Sequence, residues 1–456
     1  MPESRFAHTF ENLLQLAQEA LALAGKSGAT ACEVDVSEGF GQSVTVRRGK
    51  VDTIEHNRDS GLGVAIYLGP RKNQRKGHAS TSNFSSTALR ETIDAAMNIA
   101  RFTAPDPCAG LPDAGLLASR DEAFSDLGLY HPWPLSVEDA IDLSRRCEQA
   151  AFAVSRQIAN SDGATVSIQE GQFVSANSLG FIGGYPSSRH HLSCAPIAAD
   201  EGRMQRDDWF SVSRNSETLA SAEAIGDYAA RRALARLGAR QIKTCKAPVL
   251  FEAPLAASLI ASFVHAASGA SLYRKTSFLV ESLGSRVFSK EIQISECPHL
   301  RGALASTPFD GDGVTTRDRE VVKDGVLQGY FLSAYTARKL GMQTTGNAGG
   351  CHNLIVEPGR HDFRGLLNEM HRGLLVTELL GHGVNYVTGD YSRGAVGYWV
   401  ENGEIAYPVE EITIAGNLRD IFRNIVAVGN DVLAQGSRQV GSILVAQMKI
   451  AGNRGN

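Results

Sequence analysis

Histidine and cysteine are the residue types in this sequence whose spacing is most informative about chemistry, because zinc hydrolases hold their metal with them. The chain has 12 histidines and 7 cysteines. No histidine is followed directly by glutamate, and H-x-x-E-H is absent, so neither order of the zinc-hydrolase helix motif occurs. No C-x-x-C pair occurs, and the odd number of scattered cysteines favours reduced thiols. The spacing alone therefore predicts no zinc site in this chain.

Two histidine positions could still contribute to a metal site. His190 and His191 are adjacent in a predicted strand, where neighbouring side chains point to opposite faces, so the pair cannot chelate one ion. Cys351 and His352 follow the glycine-rich loop 346–350 and could donate to a metal. Their spacing identifies no further ligand, so a structural role is favoured.

The segment Gly389–Gly394 contains Asp390, Ser392 and Arg393, three side chains that could contact a peptide. Its first glycine is three residues before Ser392, not two, so the segment is not a nucleophile elbow. Two interpretations remain open. The three side chains could bind a peptide backbone, or they could brace their own loop, with Asp390 accepting hydrogen bonds from backbone amides in an Asx turn.

A basic segment, Arg71–Lys76, lies between two predicted strands. It is interpreted either as a solvated hairpin tip, which is favoured, or as a docking site for an acidic peptide or partner. Two further turns are predicted from local chemistry. Asp324-Gly325 and Asn402-Gly403 each lie between apolar arms and predict type I′ hairpins, which need positive φ at both central residues.

The elements that would position these residues form an α+β fold with three segments. Residues 1–115 and 116–240 each predict antiparallel strands with helices, and residues 241–456 predict a β-rich domain. The stretch 103–115, rich in proline and glycine, predicts a linker at the end of the first segment. The main predicted helices span residues 5–24, 86–101, 136–159, 216–237, 333–340 and 418–424. In the first two segments, Val36–Gly39 and Ile168–Gly171 each lie between two predicted strand runs. This similarity indicates either a duplication or chance, and both remain open.

Bulk properties exclude several classes of function. The chain of 456 residues is 43% hydrophobic and 21% charged, with a net charge of −4, which is ordinary for a globular protein. No global field attracts it to nucleic acid or to an anionic membrane, and neither partner is predicted. The N-terminus has no apolar h-region, so a cytoplasmic location is predicted. The charge-free run from Ala253 to Tyr273 predicts a buried helix, since it has too few large apolar residues for a membrane span.

Five strings, at 271–279, 299–317, 326–350, 385–430 and 440–453, resemble the TldD/PmbA metalloprotease family, and the PmbA (TldE) type more than the TldD type. The resemblance covers nearly the whole chain. It implies an α/β N-terminal part followed by a domain with a large curved sheet. It also implies a cytoplasmic heterodimer that trims unfolded and leader peptides. In this heterodimer the TldD-like partner holds zinc through H-E-x-x-x-H and a later cysteine.

The zinc residues of the family do not carry over to this chain. When Thr276-Ser277 is aligned with the same pair in the zinc-bearing type, His265 matches the last histidine of the motif. The first histidine and the glutamate then match Ile260 and Ala261, and the late cysteine region matches 435–438, which has no cysteine. A single imidazole without a general base cannot form a catalytic zinc site. The prediction is therefore no catalytic residue, no metal and no cofactor in this chain, with His265 a lone remnant in the core.

These observations predict a non-catalytic subunit that stabilises its zinc-bearing partner and walls a chamber for extended peptides. The candidate substrate or partner contacts are Asp390, Ser392, Arg393, Asn402 and Gly403. Two alternatives are kept. One is an autonomous peptide hydrolase with a site around Asp390, Ser392 and Arg393. The other is a peptide-binding protein that forms a homodimer.

Overall fold

The first half of the chain builds a single antiparallel sheet with helices packed on it. The structure, a computed structural model, describes residues 5–434 and 436–452. The elements of this half are α1 Phe10–Lys26, β1 Ala31–Arg47, β2 Lys50–Leu68, β3 Arg75–Thr81, α2 Ser86–Phe102, α3 Arg120–Ala123, α4 Val137–Val154, β4 Ile158–Asn177, β5 Ile182–Asp200, β6 Arg203–Arg206, β7 Trp209–Ser213 and α5 Ala222–Ala235. The strand order is β3-β2-β1-β4-β5-β6, and β7 also pairs with β5. The sheet therefore runs across both predicted N-terminal segments, while the boundary at residue 115 stays a prediction.

The strands of this sheet are longer than the sequence predicted. Gly39 and Gly171 do not separate two strands each, because β1 and β4 run through them without a break over 17 and 20 residues. The glycines were mistaken for turn signals. The real hairpin turn after β1 is Arg48-Gly49, where φ is 52° and 72°. Similarly, the helix predicted from residue 216 begins later, since 216–218 form a 3₁₀ turn before α5.

The two halves of the sheet meet with an internal symmetry. Strands β1 and β4 pair antiparallel with Gly39 opposite Gly171, Glu38 opposite Gln172 and Phe40 opposite Glu170. Glu38 and Glu170 are both buried. Each carboxylate binds the backbone just before the first long helix of its own half of the sheet. Glu38 accepts from the His8 backbone N at 3.2 Å, before α1, and Glu170 accepts from the Trp133 N at 3.2 Å, before α4. Equivalent residues with equivalent contacts favour the duplication over chance.

The second half of the chain forms two sheets around its own core. Its elements are β8 Cys245–Phe251, α6 Ala253–Ala266, α7 Gly269–Tyr273, β9 Ile294–Glu296, β10 Arg319–Lys323, β11 Val326–Leu327, α8 Ala334–Leu340, β12 Leu354–Val356, α9 Phe363–Met370, β13 Gly373–Leu380, β14 Asp390–Glu401, β15 Glu404–Asn417, α10 Leu418–Arg423, β16 Ile425–Val428, β17 Arg438–Gln439 and β18 Ile443–Ala451. The larger sheet has the order β15-β14-β13-β8-β18-β16 and curls until β15 also pairs with β18. The predicted fold, an α/β N-terminal part followed by a β-rich domain with a large curved sheet, is confirmed.

The charge-free run from Ala253 to Tyr273 forms two helices instead of one. Helix α6 ends at Ala266, and Ser268 caps α7 by accepting from the Ser271 N. Every residue of α6 except His265 is buried or half-buried, so the predicted burial is confirmed, whereas the prediction of one continuous helix was wrong. Within the described ranges, no helix is long and apolar enough to cross a membrane.

The segment predicted as a linker, around residues 103–115, is bound to the second half of the chain. Arg338 of α8 donates from Nη1 to the carbonyl oxygens of Cys108 and Gly110, at 3.1 and 2.9 Å, and from Nη2 to that of Leu111. One guanidinium thus satisfies three backbone acceptors of a segment without regular structure. The connection between the first two segments is therefore fixed against α8.

Candidate functional site

The five candidate contact residues lie at opposite ends of one hairpin. Asp390 begins β14, and Asn402-Gly403 form the turn between β14 and β15. At about 3.3 Å per residue, the two ends of this strand are about 35 Å apart. The structure therefore brings Asp390, Ser392 and Arg393 together but does not bring Asn402 and Gly403 to them.

The Asn402-Gly403 turn contacts its own chain. Its φ angles of 55° and 76° confirm the type I′ prediction, as do 48° and 73° at Asp324-Gly325. The Gly403 N donates to the His371 carbonyl at 2.8 Å, and a Cβ on Gly403 would lie 2.5 Å from Asn368 Oδ1. The glycine thus allows the turn to dock against the end of α9, and only Asn402 of the pair is exposed.

Asp390 is exposed and braces its own loop. Its carboxylate accepts from Thr388 Oγ1 at 2.6 Å and from Asn417 Nδ2 at 3.2 Å, and these bonds lower the pKa of Asp390 below its usual range. The predicted Asx turn at Asp390 was wrong. Asn385 has that role, because its Oδ1 accepts from the Val387 N at 3.0 Å. An amide and a carboxylate are both able to form such turns, so the sequence did not distinguish them.

Ser392 and Arg393 differ in how their side chains are held. The Ser392 side chain is exposed, and its hydroxyl has no hydrogen-bond partner in the part of the chain that the structure describes. Arg393 is half-buried, and its Nη2 lies 3.5 Å from the Leu379 carbonyl. A serine nucleophile needs a base within hydrogen-bond reach, and no base among the described residues bonds to Ser392.

The loop before Asp390 contacts the histidine that the family alignment selected. Tyr386 lies with its ring centroid 4.0 Å from that of His265, and its carbonyl accepts from the Phe278 N at 2.7 Å. His265 is exposed, so the prediction of a core histidine was wrong. The physical reason is the orientation of α6, whose buried face includes Leu259, Ile260 and Phe263.

The residues around His265 do not fit a zinc ion. Ile260 is only 1% exposed and packs in the core, and Ala261 has no donor atom. The Ser277 hydroxyl donates to the Ala266 carbonyl at 2.6 Å, so it serves the end of α6. In residues 5–434 and 436–452, no group of three or more His, Cys, Asp or Glu side chains is placed to hold a metal. Gln435, the first residue of the late cysteine region, lies outside the described residues.

The other histidine candidates are bonded within the fold. His352 is buried, and its Nε2 lies 2.7 Å from the Gly346 carbonyl, while its backbone N donates to Glu296 Oε1 at 2.8 Å. This explains its position beside the glycine-rich loop without a metal. His190 is also buried and bonds to the His131 carbonyl at 2.8 Å, and burial lowers its pKa.

The basic segment Arg71–Lys76 makes several contacts inside the molecule. Arg71 pairs with Asp113, Arg75 donates to the Arg101 carbonyl at 2.9 Å, and Lys76 pairs with Glu33 at 3.0 Å. These bonds join the segment to its own half of the chain. They favour the hairpin-tip interpretation over a dedicated docking site.

Comparison with known proteins assigns the family. The models of the PmbA/TldA metallopeptidases match over most of the chain: domain 1 over residues 32–100, the central domain over 130–237 and the C-terminal domain over 244–452. The chain therefore belongs to the PmbA/TldD metallopeptidase family.

Within this family the chain is similar to proteins named PmbA. It is 47% identical to Metalloprotease PmbA of Escherichia coli O157:H7, over 95% of this chain and 94% of the relative. It is 44% identical to the PmbA homologue of Haemophilus influenzae, over 97% of each chain. The predicted resemblance to the PmbA type is thus confirmed.

Solved structures share the fold. A crystal structure from Bacteroides thetaiotaomicron, of a protein named as a modulator of DNA gyrase, matches with a TM-score of 0.91 at 27% identity, over 98% of this chain and 100% of that chain. TldE from Thermococcus kodakarensis matches with a TM-score of 0.82 at 20% identity, over 96% and 100%. The second likeness concerns the fold alone.

Proposed function

We propose that this chain is the zinc-free subunit of a cytoplasmic, heteromeric metalloprotease that trims unfolded and leader peptides. A TldD-like partner would hold the zinc and perform the hydrolysis. This chain would stabilise that partner and form part of the wall of the substrate chamber. Relatives that are named metalloproteases support the class of activity.

One observation supports the proposal that the partner, and not this chain, performs the hydrolysis. At α6, where the zinc-bearing type has its histidine and glutamate, this chain has Ile260 in the hydrophobic core and Ala261 beside it. Peptide hydrolysis at zinc requires three protein ligands and a base for the metal-bound water. Helix α6 supplies one imidazole, so its role is structural.

The exposed face next to α6 is the proposed peptide wall. His265 and Tyr386 form its aromatic part, and Asp390 and Ser392 at the start of β14 are exposed beside the same loop. An extended peptide would bind there mainly through its backbone, which gives low sequence selectivity. Low selectivity suits a protease that acts on unfolded segments.

Co-expression with a chain from the same genome that carries H-E-x-x-x-H tests the proposal. We expect the two chains to copurify with one zinc per pair, and peptide cleavage to require both. Metal analysis and cleavage of an unfolded peptide by each separate chain are the controls. Stoichiometric zinc together with peptidase activity in this chain alone would contradict the proposal.

Ser392→Ala is expected to change cleavage by the complex less than about threefold, since loss of a peripheral contact is worth well under 1 kcal/mol. The alternative of an autonomous hydrolase is favoured only by the exposed, unbonded Ser392 hydroxyl. It predicts activity without a partner and a loss of several orders of magnitude in this variant. Peptide cleavage by Ser392→Ala, with and without the partner, decides between them. The mass of the isolated chain in solution tests the homodimer alternative.

A further inference from the structure

A basic cavity lies in the second half of the molecule, at the opposite end of β14 from Asp390. It has a volume of about 550 Å³, within the range of about 300–1,000 Å³ typical of ligand pockets. Residues 240–243 and the first four residues of β8, Cys245 to Pro248, line one side of it. This segment is fixed to β15 at its start, because the Arg240 N donates to the Pro408 carbonyl at 3.2 Å and the Glu410 N to the Arg240 carbonyl at 3.3 Å.

One wall of the cavity is a strand edge without a neighbour. On one side of β8, Cys245 pairs with Ile450 and Ala247 with Met448 of β18. On its other side, β8 pairs with β13 only from Val249 onward, opposite Leu374. No described strand pairs with this edge of Cys245–Ala247, and the cavity lies beside it. An extended peptide could add its backbone at such an edge.

The residues that line the cavity carry four positive charges and no negative charge. Its cations are Arg240, Lys243, Lys246 and Arg372, all exposed. None of the four forms an ion pair within residues 5–434 and 436–452, and no acidic residue lines the cavity. Lys246 also lies directly opposite Lys449 on β18, a like-charge pair that destabilises a sheet. An anion in the cavity would offset this repulsion.

Two aromatic rings orient the arginines. The Arg240 guanidinium lies 3.5 Å from the centroid of the Tyr407 ring, and that of Arg372 lies 5.7 Å from the Trp399 ring. Trp399 is buried, and its Nε1 donates to Glu401 at 3.1 Å. A guanidinium stacked on a ring keeps its N–H edge free for a carboxylate.

We propose that this cavity binds an acidic, extended peptide segment, with carboxylates on the arginines and lysines and the backbone along Cys245–Ala247. The choice of a peptide as the ligand rests on the proposed function. The negative charge of the ligand follows from the positive charge of the cavity. The complex would then prefer substrates with acidic residues at a distance from the cleaved bond. A nucleic acid also carries negative charge, and the experiment separates the two.

Calorimetric titration of the purified chain with acetyl-tetraglutamate amide tests the site. We expect binding that weakens with added salt, and no binding of acetyl-tetraglutamine amide. Arg372→Gln and Lys246→Gln should each weaken binding by about tenfold or more, as for loss of a charge-assisted hydrogen bond. Both side chains are exposed, so both variants should fold.

Lys26→Gln is the matched control, since it removes the same charge from an exposed position at the end of α1, in the other half of the chain. It should leave binding unchanged. Equal binding of the glutamine peptide, equal weakening by Lys26→Gln, no binding at all, or tighter binding of an oligodeoxythymidine would each overturn the proposal. The titration uses this chain without a partner, so its failure is distinct from failure of the copurification and zinc assays.

Discussion

Replacing Arg236 with methionine is expected to destabilise the folded chain by about 3–5 kcal/mol, the usual effect of leaving a buried charge without its partner. Arg236 follows α5 and is 4% exposed. Its Nε lies 2.8 Å from Asp207 Oδ2, and its Nη1 donates to the Arg206 carbonyl at 2.9 Å and to Glu378. Methionine fills a similar volume but satisfies none of these acceptors.

The consequence extends beyond one ion pair because the network joins the two halves of the chain. Arg232 on α5 pairs with Asp207 at 3.3 Å and with Glu252 at 2.7 Å. Glu252 precedes α6, and Glu378 lies on β13, so both acceptors belong to the second half. Without Arg236, Glu378 loses its cation, and Asp207 and Glu252 share the single positive charge of Arg232. We therefore expect the contact between the halves to weaken first.

Urea denaturation followed by fluorescence and circular dichroism measures this effect. Arg231→Met is the matched control, because Arg231 is the neighbour of Arg232 on α5 but is exposed and pairs with Asp227 at 2.7 Å. An exposed pair of this kind contributes about 0.5 kcal/mol or less. Similar denaturation midpoints for the two variants would show that the buried network does not stabilise the chain.

Gly226→Ala is expected to destabilise the chain by about 3 kcal/mol, at the upper end of overpacking effects. Gly226 lies in α5 where this helix crosses α4. A Cβ at this position would lie 2.0 Å from the Cys147 carbonyl oxygen and 3.1 Å from the Ala151 N. The obstructing atoms belong to the backbone of α4, so only a separation of the two helices relieves the overlap.

Gly25→Ala provides a control of opposite sign. Gly25 lies in α1, is exposed, and has no heavy atom within 4 Å of the position that a Cβ would occupy. Alanine is favoured over glycine in a helix by about 0.5–1 kcal/mol, so this variant should be slightly more stable than the parent chain. Thermal unfolding of both variants measures the difference. A Gly226→Ala chain that melts at the temperature of the parent would contradict the packing argument.

The predictions from sequence succeeded where the determinants are local. Asp324-Gly325 and Asn402-Gly403 identify their turns because few residue pairs adopt positive φ twice. The fold class followed from the alternation of apolar residues along the chain and from the family resemblance. The PmbA-type assignment followed from long strings of residues, because amino-acid composition does not identify a family.

The predictions failed where distant parts of the chain decide the structure. Gly39 and Gly171 resembled turns because their pairing partners lie in the other half of the sheet. His265 was assigned to the core because the small residues of α6 do not reveal which face is buried. Asp207, Arg236 and Glu378 are far apart in sequence, so their network had no sequence signal. The sequence contains a partial signal for the basic cavity, the three cations at 240–246. The cavity could not be predicted from them, because its fourth cation, Arg372, is distant in sequence.

The pairing of β1 with β4 has a consequence for the history of the chain. Gly39 lies opposite Gly171, the residue before Gly39 lies opposite the residue after Gly171, and the residue after Gly39 lies opposite the residue before Gly171. The pairing therefore has the self-complementary form of a twofold interface. An ancestor with the length of one segment, about a quarter of the present chain, would make the same pairing with a second copy of itself, with its counterpart of Gly39 on the symmetry axis. Fusion of two such copies would turn an association that depends on concentration into one fixed within a single chain. Each copy would then be free to diverge without losing its partner.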